Sequence, residues 1–267
     1  MISIWLIYLG VGLSAGLLAG LLGVGGGLII VPMLIFTFTW QGLPPPHIQH
    51  LALGTSLATI VVTALSSVRA HHRHRAVVWR SVRLITPGII IGTLFGSWVA
   101  SQLPSSILRL FFIIFTYYVA TQMLLDIKPK PHRQLPGPSG FSLVGGGIGL
   151  VSSLVGIGGG SMSVPFLVWC NVRMHNAIGT SAAIGFPIAL SGAIGYVANG
   201  LLVGGLPPGS VGFVYLPAFT GIAAASFFTA PLGARWAHRL PVSRLKKIFA
   251  FLLIIIGTKM FWGLLAE

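Results

Sequence analysis

Long apolar runs dominate the chain, spanning roughly residues 5–22, 51–68, 84–101, 107–125, 177–198, 212–232 and 248–265. Each approaches the ~20 apolar residues that an α-helix needs to cross a bilayer. Shorter apolar pieces sit beside two glycine-rich interruptions, LLGVGGGLIIVP from Leu21 to Pro32 and LVGIGGGSMSVP from Leu154 to Pro165. Together these make about eight membrane elements and leave no stretch for a soluble domain. Paired interruptions in two halves of one membrane chain are the best sequence-level pointer to a transporter's substrate site, because broken helices offer backbone groups to a ligand near the midplane.

Composition agrees with the pattern. The 267 residues are 55% hydrophobic and only 7% charged, with a mean hydropathy of +0.94, so the bilayer is the solvent. The opening MISIWLIYLG lacks a basic n-region and a small-residue cleavage site, and is expected to be a first membrane helix rather than a signal peptide. The single cysteine, Cys170, cannot close an intrachain disulfide and is no metal site by itself. The two acidic residues, Asp126 and Glu267, both lie outside the apolar runs. A proton relay or sodium site of buried carboxylates therefore has nothing to be built from, and the chain suits an anion better than a cation. The net charge of +14 comes from basic residues beside apolar runs, which the positive-inside rule explains without nucleic acid.

The two halves echo each other. His50-Leu51-Ala52-Leu53-Gly54-Thr55-Ser56 matches His175-Asn176-Ala177-Ile178-Gly179-Thr180-Ser181, Leu103-Pro104 matches Leu240-Pro241, and Thr121-Gln122-Met123 matches Thr258-Lys259-Met260. Pro87 can be set against Pro217. We expect a first membrane repeat over 1–125, a cytoplasmic linker over 126–140 containing DIKPKPHRQLPGPSG, and a second repeat over 141–267.

Charge placement bears on their relative orientation. If each half crossed four times and both pointed the same way, one side would hold Arg69, Arg73, Arg75, Arg80, Arg83, Lys128, Lys130, Arg133 and Lys259, and the other Arg109, Arg173, Arg235, Arg239, Arg244, Lys246 and Lys247, nine against seven. If each half instead begins with a hairpin that enters and leaves on one side, the halves are inverted. Only Arg109 and Lys259 then remain outside, against fourteen inside, the asymmetry that the rule expects. Length agrees, since one continuous helix over 141–169 would be about 43 Å long, too long for a comfortable crossing. The expected fold is thus an all-α polytopic membrane protein of two inverted repeats. Each has four to five helical elements and opens with a glycine-broken hairpin.

On these residues, the ordered pair GxGGG…VP with GTS following each, the chain resembles the sulfite exporter TauE/SafE family of membrane permeases over essentially its whole length. The resemblance implies multi-pass permeation of a small sulfur-containing anion of the sulfite, sulfonate, sulfoacetate or thiosulfate class. Family members are usually described with seven or eight spans, so the hairpin reading departs from simple counts.

Several residues could carry the chemistry. In Gly23–Gly27 and Gly156–Gly160, glycine permits close approach of a ligand to the backbone, and a helix restarting after the break points uncapped N–H groups and a partial positive charge towards it. Gly25, Gly26, Gly27, Gly158, Gly159 and Gly160 are the candidate substrate-binding glycines, close helix packing through small residues being the alternative. Ser161 and Ser163 stand where the first copy has Leu28 and Ile30, so the second break can supply hydroxyls; Ser161 joins the candidates. Thr55, Ser56, Thr180 and Ser181 could donate to an anion or bond their own helices. His50 and His175 could handle protons in a chain without buried acids, or could simply face water or a loop at a helix start. Lys259 could draw anions towards a pathway or snorkel to the interface. The His71, His72 and His74 tract is expected to be a solvated cytoplasmic anchor, with no metal or cofactor implied.

The expected function is a secondary carrier in the cell inner (cytoplasmic) membrane, working by alternating access at the glycine-rich midplane site, with Pro32 and Pro165 as hinge candidates. An anion channel through the same site is the alternative, and a membrane enzyme or assembly factor is a third reading. The shortage of acids and the lone cysteine weigh against enzymatic chemistry.

Overall fold

In lipid a backbone must satisfy its own hydrogen bonds, so apolar runs of this length become helices. The computed structural model describes residues 2–22, 26–125, 135–237 and 242–265. Its helices are α1 (Ile2–Leu22), α2 (Gly27–Trp40), α3 (Ile48–Arg73), α4 (Trp79–Gln102), α5 (Ser105–Leu124), α6 (Pro138–Val155), α7 (Gly160–Trp169), α8 (Met174–Gly200), α9 (Leu216–Ala237) and α10 (Val242–Leu265). Eight are long and apolar enough to span a membrane, and α2 and α7 are the short ones. The all-α polytopic expectation holds. One addition is a two-stranded antiparallel hairpin, β1 (Ser210–Val211) and β2 (Val214–Tyr215), which takes the first residues of the apolar run expected over 212–232.

Pairs of helices from different halves form the tightest seams. Gly12, Gly16 and Gly20 of α1 meet Ile222, Ser226 and Ala230 of α9, and Gly88, Gly92 and Gly96 of α4 meet Ser142, Gly146 and Leu150 of α6. Glycine every fourth residue makes one side-chain-free stripe, which lets backbones approach closely without a hydrophobic driving force between helices. Residue numbers rise together along both seams, so each pair runs parallel. The central spans are α3 and α8, the most deeply buried of the eight. They pack on each other, with α9 against α3 and α4 against α8.

These contacts fix which helix ends lie together. Arg80 and Val78 share a pocket with Leu135 and Phe141, so α4 and α6 both start at one end, called here the basic end. The start of α8 joins them, because Gly179 abuts Ala76. At the opposite end Ser105 Oγ donates to Pro46 O (2.6 Å), His50 stacks on Phe213, and Gln41 Nε2 donates to Tyr8 Oη (2.8 Å). There α1 and α9 begin and α2 ends. Pro87 lies well inside α4, whereas Pro217 is the second residue of α9. That proline pair therefore does not occupy equivalent places, although the helices around it do.

Candidate functional site

Each glycine break turns the chain back on itself. After α1 the chain reaches Gly26, left-handed at φ 76°, where a Cβ would lie 2.9 Å from Ala15 O, far back along α1. After α6, Gly156 and Gly159 are left-handed, both at φ 72°, and a Cβ at Gly159 would lie 3.2 Å from Ser152 Oγ of α6. Such angles cost a residue with a Cβ about 1–2 kcal/mol. Gly26 O then accepts from the N–H groups of Ile29 (3.0 Å) and Ile30 (3.1 Å), and Gly159 O from those of Met162 (3.1 Å) and Ser163 (2.8 Å). Among the described residues neither α2 nor α7 has a side-chain hydrogen bond from its N-cap, the arrangement that leaves first-turn N–H groups to other partners such as a ligand.

The two breaks touch. Gly27 abuts Gly156 O and Ile157, and Ser56 Oγ donates to Gly156 O at 2.8 Å, so a hydroxyl of one half pins the break of the other. Ser163 Oγ and Ser181 Oγ are 2.8 Å apart. Beside Gly158 lies a cavity of ≈ 10 Å³, lined also by Thr63, Ser67, Ser181 and Gly185, with room for about one water. The hydroxyls of Ser67, Ser152 and Ser161 are buried and have no hydrogen-bond partner among the described residues. A buried hydroxyl without a partner is uncommon in a native structure and calls for a reason; here several cluster around one break.

Of the residues expected from sequence, the structure brings together Gly27, Ser56, Gly158, Gly159, Gly160, Ser161 and Ser181 near the breaks, with Gly26 opening α2. Gly25 lies outside the described residues. Thr55 and Thr180 are engaged elsewhere. Thr55 Oγ1 accepts the backbone N–H of Tyr215, and Thr180 Oγ1 that of Val78, both at 2.9 Å. His50 is buried, its Nε2 3.0 Å from Ala100 O and 3.1 Å from Leu103 O. The proton must sit on Nε2 to serve these last carbonyls of α4, a helix C-cap. His175, its sequence match, is exposed, so the two histidines are not equivalent. His71 is buried, while His72 and His74 are exposed, and His72 Nδ1 accepts from Trp79 Nε1 (3.2 Å).

Thr63, Ser67 and Ser152 were not expected at this place. For Thr63 and Ser67 the signal is a stripe, Thr55-Thr59-Thr63-Ser67, with a hydroxyl every fourth residue along one face of a buried helix; Ser152, on α6, has no such signal.

Two touching helix breaks, N–H groups without a side-chain cap and buried hydroxyls within a bundle of spanning helices define a polytopic membrane transporter. The chain belongs to the sulfite exporter TauE/SafE family, whose model matches residues 8–260. It is 41% identical over 263 residues to a probable membrane transporter protein of Haemophilus influenzae, covering 98% of this chain and 99% of that one. The probable membrane transporter protein YunE of Bacillus subtilis is 27% identical over 94% of this chain and 95% of its own, and one from Methanocaldococcus jannaschii is 26% identical over 92% and 91%. No solved structure matches.

Proposed function

We propose that the chain is a carrier for a small sulfur-containing oxyanion in the cell inner membrane, binding it where the two glycine breaks meet. The observation that carries this reading is the contact of Gly27 with Gly156 beside the hydroxyls of Ser67 and Ser161, which have no partner among the described residues. Uncapped N–H groups and hydroxyls donate hydrogen bonds and bring no negative charge, as an oxyanion requires. Family membership supports a small anion as cargo.

We further propose that the halves are inverted repeats and that transport proceeds by alternating access. Support comes from the opposite ends at which α1 and α6 begin, and from reciprocal pairing of α1 with α9 and α6 with α4. This pairing also changes which bodies would move. The seams join helices from both halves, so the rocking units are mixed, one built around α1 and α9 and the other around α4 and α6. A central cavity of ≈ 10 Å³ must widen to take sulfite, which favours a gated carrier over a standing channel.

Purified protein in proteoliposomes, offered sulfite, thiosulfate, sulfoacetate and simple carboxylates, tests the proposal. The expected result is saturable flux of a sulfur oxyanion that Gly159→Val abolishes. Flux of none of them, or full flux in that variant, overturns it. Large single-channel currents would establish the channel instead.

A further inference from the structure

One face of α3 is polar along most of its length. The helix runs unbroken from Ile48 to Arg73 and contains no proline. At 3.6 residues per turn, Gln49, Ser56, Thr63 and Ser67 fall within about 40° of one another around its axis. That face is turned to the second glycine break. Ser56 Oγ donates to Gly156 O at 2.8 Å, Leu53 abuts Gly156, and Ile60, Thr63 and Ser67 line the small cavity beside Gly158. Gln49 continues the face about 10 Å beyond Ser56, towards the end of the bundle opposite the basic loops, where the adjacent His50 stacks on Phe213. Gln49 is 0% exposed, and neither its Nε2 nor its Oε1 has a hydrogen-bond partner among the described residues. An amide in that state gives up its hydrogen bonds to water and gains none in return, so it lowers stability. An apolar side chain of the same length would serve packing better. Native chains keep such exceptions where function, not stability, sets the residue.

We propose, resting on the central-site reading, that Gln49 lies on the anion's route between the glycine breaks and the end opposite the basic loops, where its amide N–H groups donate to the passing oxyanion. A primary amide offers two donors and carries no charge. It orients an oxyanion without holding it as an arginine would, and transit requires a site weak enough to leave. The amide is sealed from solvent, so this end of the route is closed in the structure, and opening it brings water or cargo to Gln49. The station is also one-sided. By the match of His50 with His175, the second half has Met174 in place of Gln49, and Ile188 and Gly192 in place of Thr63 and Ser67. These three polar residues of α3 therefore have no counterpart in α8, and the route near Gln49 has a chemistry of its own.

Gln49→Met keeps the length of the side chain and removes the amide. In proteoliposomes it is expected to raise KM for sulfite or thiosulfate about tenfold, on the scale of one hydrogen bond to a charged group. Its melting temperature should equal or exceed that of wild type, since a buried amide without a partner has been removed. Gln49→Asn, which keeps the donors on a shorter stem, is expected to fall between the two in KM. On a Cys170→Ser background, the thiol of Gln49→Cys should react with an impermeant reagent supplied from the side opposite the basic loops, and more slowly in saturating sulfite. Wild-type KM in Gln49→Met, a lowered melting temperature in that variant, or a Gln49→Cys thiol that resists the reagent overturns the proposal. The two readings fail separately. If wild type moves no sulfur oxyanion, the carrier reading falls, while the thiol still reports whether water reaches this face of α3. If wild type transports and Gly159→Val abolishes flux, yet Gln49→Met keeps the wild-type KM, only the role of Gln49 falls.

Discussion

Thr55 Oγ1 accepts the backbone N–H of Tyr215 at 2.9 Å, joining the third helix of one half to the segment that leads into the fourth helix of the other. Thr180 and Val78 repeat the relation from the other side, also at 2.9 Å. The glycine before each threonine completes the joint, because Gly54 lies against Phe213 O and Gly179 against Ala76 O. Glycine admits the carbonyl and threonine takes the N–H two residues later. The GTS motif is thus a clasp between halves.

Thr55→Val and Thr180→Val should each destabilise the protein by about 1–3 kcal/mol, the cost of leaving a buried N–H unsatisfied. Thermal unfolding in detergent measures this, with Thr→Ser variants expected near wild type. A threonine acting mainly on substrate would instead raise KM and leave the melting temperature unchanged.

Gly179→Ala should be more damaging than either threonine change. Its Cβ would lie 2.6 Å from Ala76 O and 2.8 Å from Ala76 Cβ, so a backbone segment, rather than a flexible side chain, would have to move. Poor expression with a lowered melting temperature is the expected outcome, read by size-exclusion chromatography.

Ser161→Ala separates binding from stability. The Ser161 hydroxyl is buried without a partner among the described residues, so removing it should leave stability unchanged or slightly raised. If the hydroxyl meets substrate, KM for the transported anion should rise by about tenfold, the worth of one hydrogen bond to a charged group. Ser163→Ala should show the converse, since its hydroxyl bonds Ser181 and its loss costs about 1 kcal/mol.

Sidedness can be read directly. On a Cys170→Ser background, single cysteines at His72 and Arg235 should react with impermeant reagent from the cytoplasmic side only, and one at Gln41 from outside only. Opposite sides for His72 and Arg235 would sink the inverted arrangement, because the positive-inside rule would then have no consistent solution.

The two breaks were legible because a glycine cluster inside an apolar run has few other uses, and Gly27 does meet Gly156. The hydroxyl stripe Thr55-Thr59-Thr63-Ser67 was in plain view as a four-residue spacing, yet nothing local says which side of α3 the second break faces. Thr55 and Thr180 matched in sequence and match in space, but their partners, Tyr215 and Val78, lie in the opposite half and cannot be found by scanning neighbours. His50 and His175 match in sequence alone. One caps α4 and the other is exposed, because the proline-rich turn before α3 packs against the start of α5 and buries the first. Similarly, the spacing of Gly12, Gly16 and Gly20 announces a close seam without naming α9 as its other side.

That seam sets an order of assembly. α1 leaves the ribosome well before α9, and its glycine-lined face has no matching surface until α9 has been synthesised and inserted. Until then α1 must wait in lipid with a row of small residues exposed, held by few neighbours. Synthesis stopped after the first half would strand α1 and α4 without their partners, so neither half is expected to be stable alone. Co-expression of the two halves as separate chains should rescue both, each protecting the other from degradation.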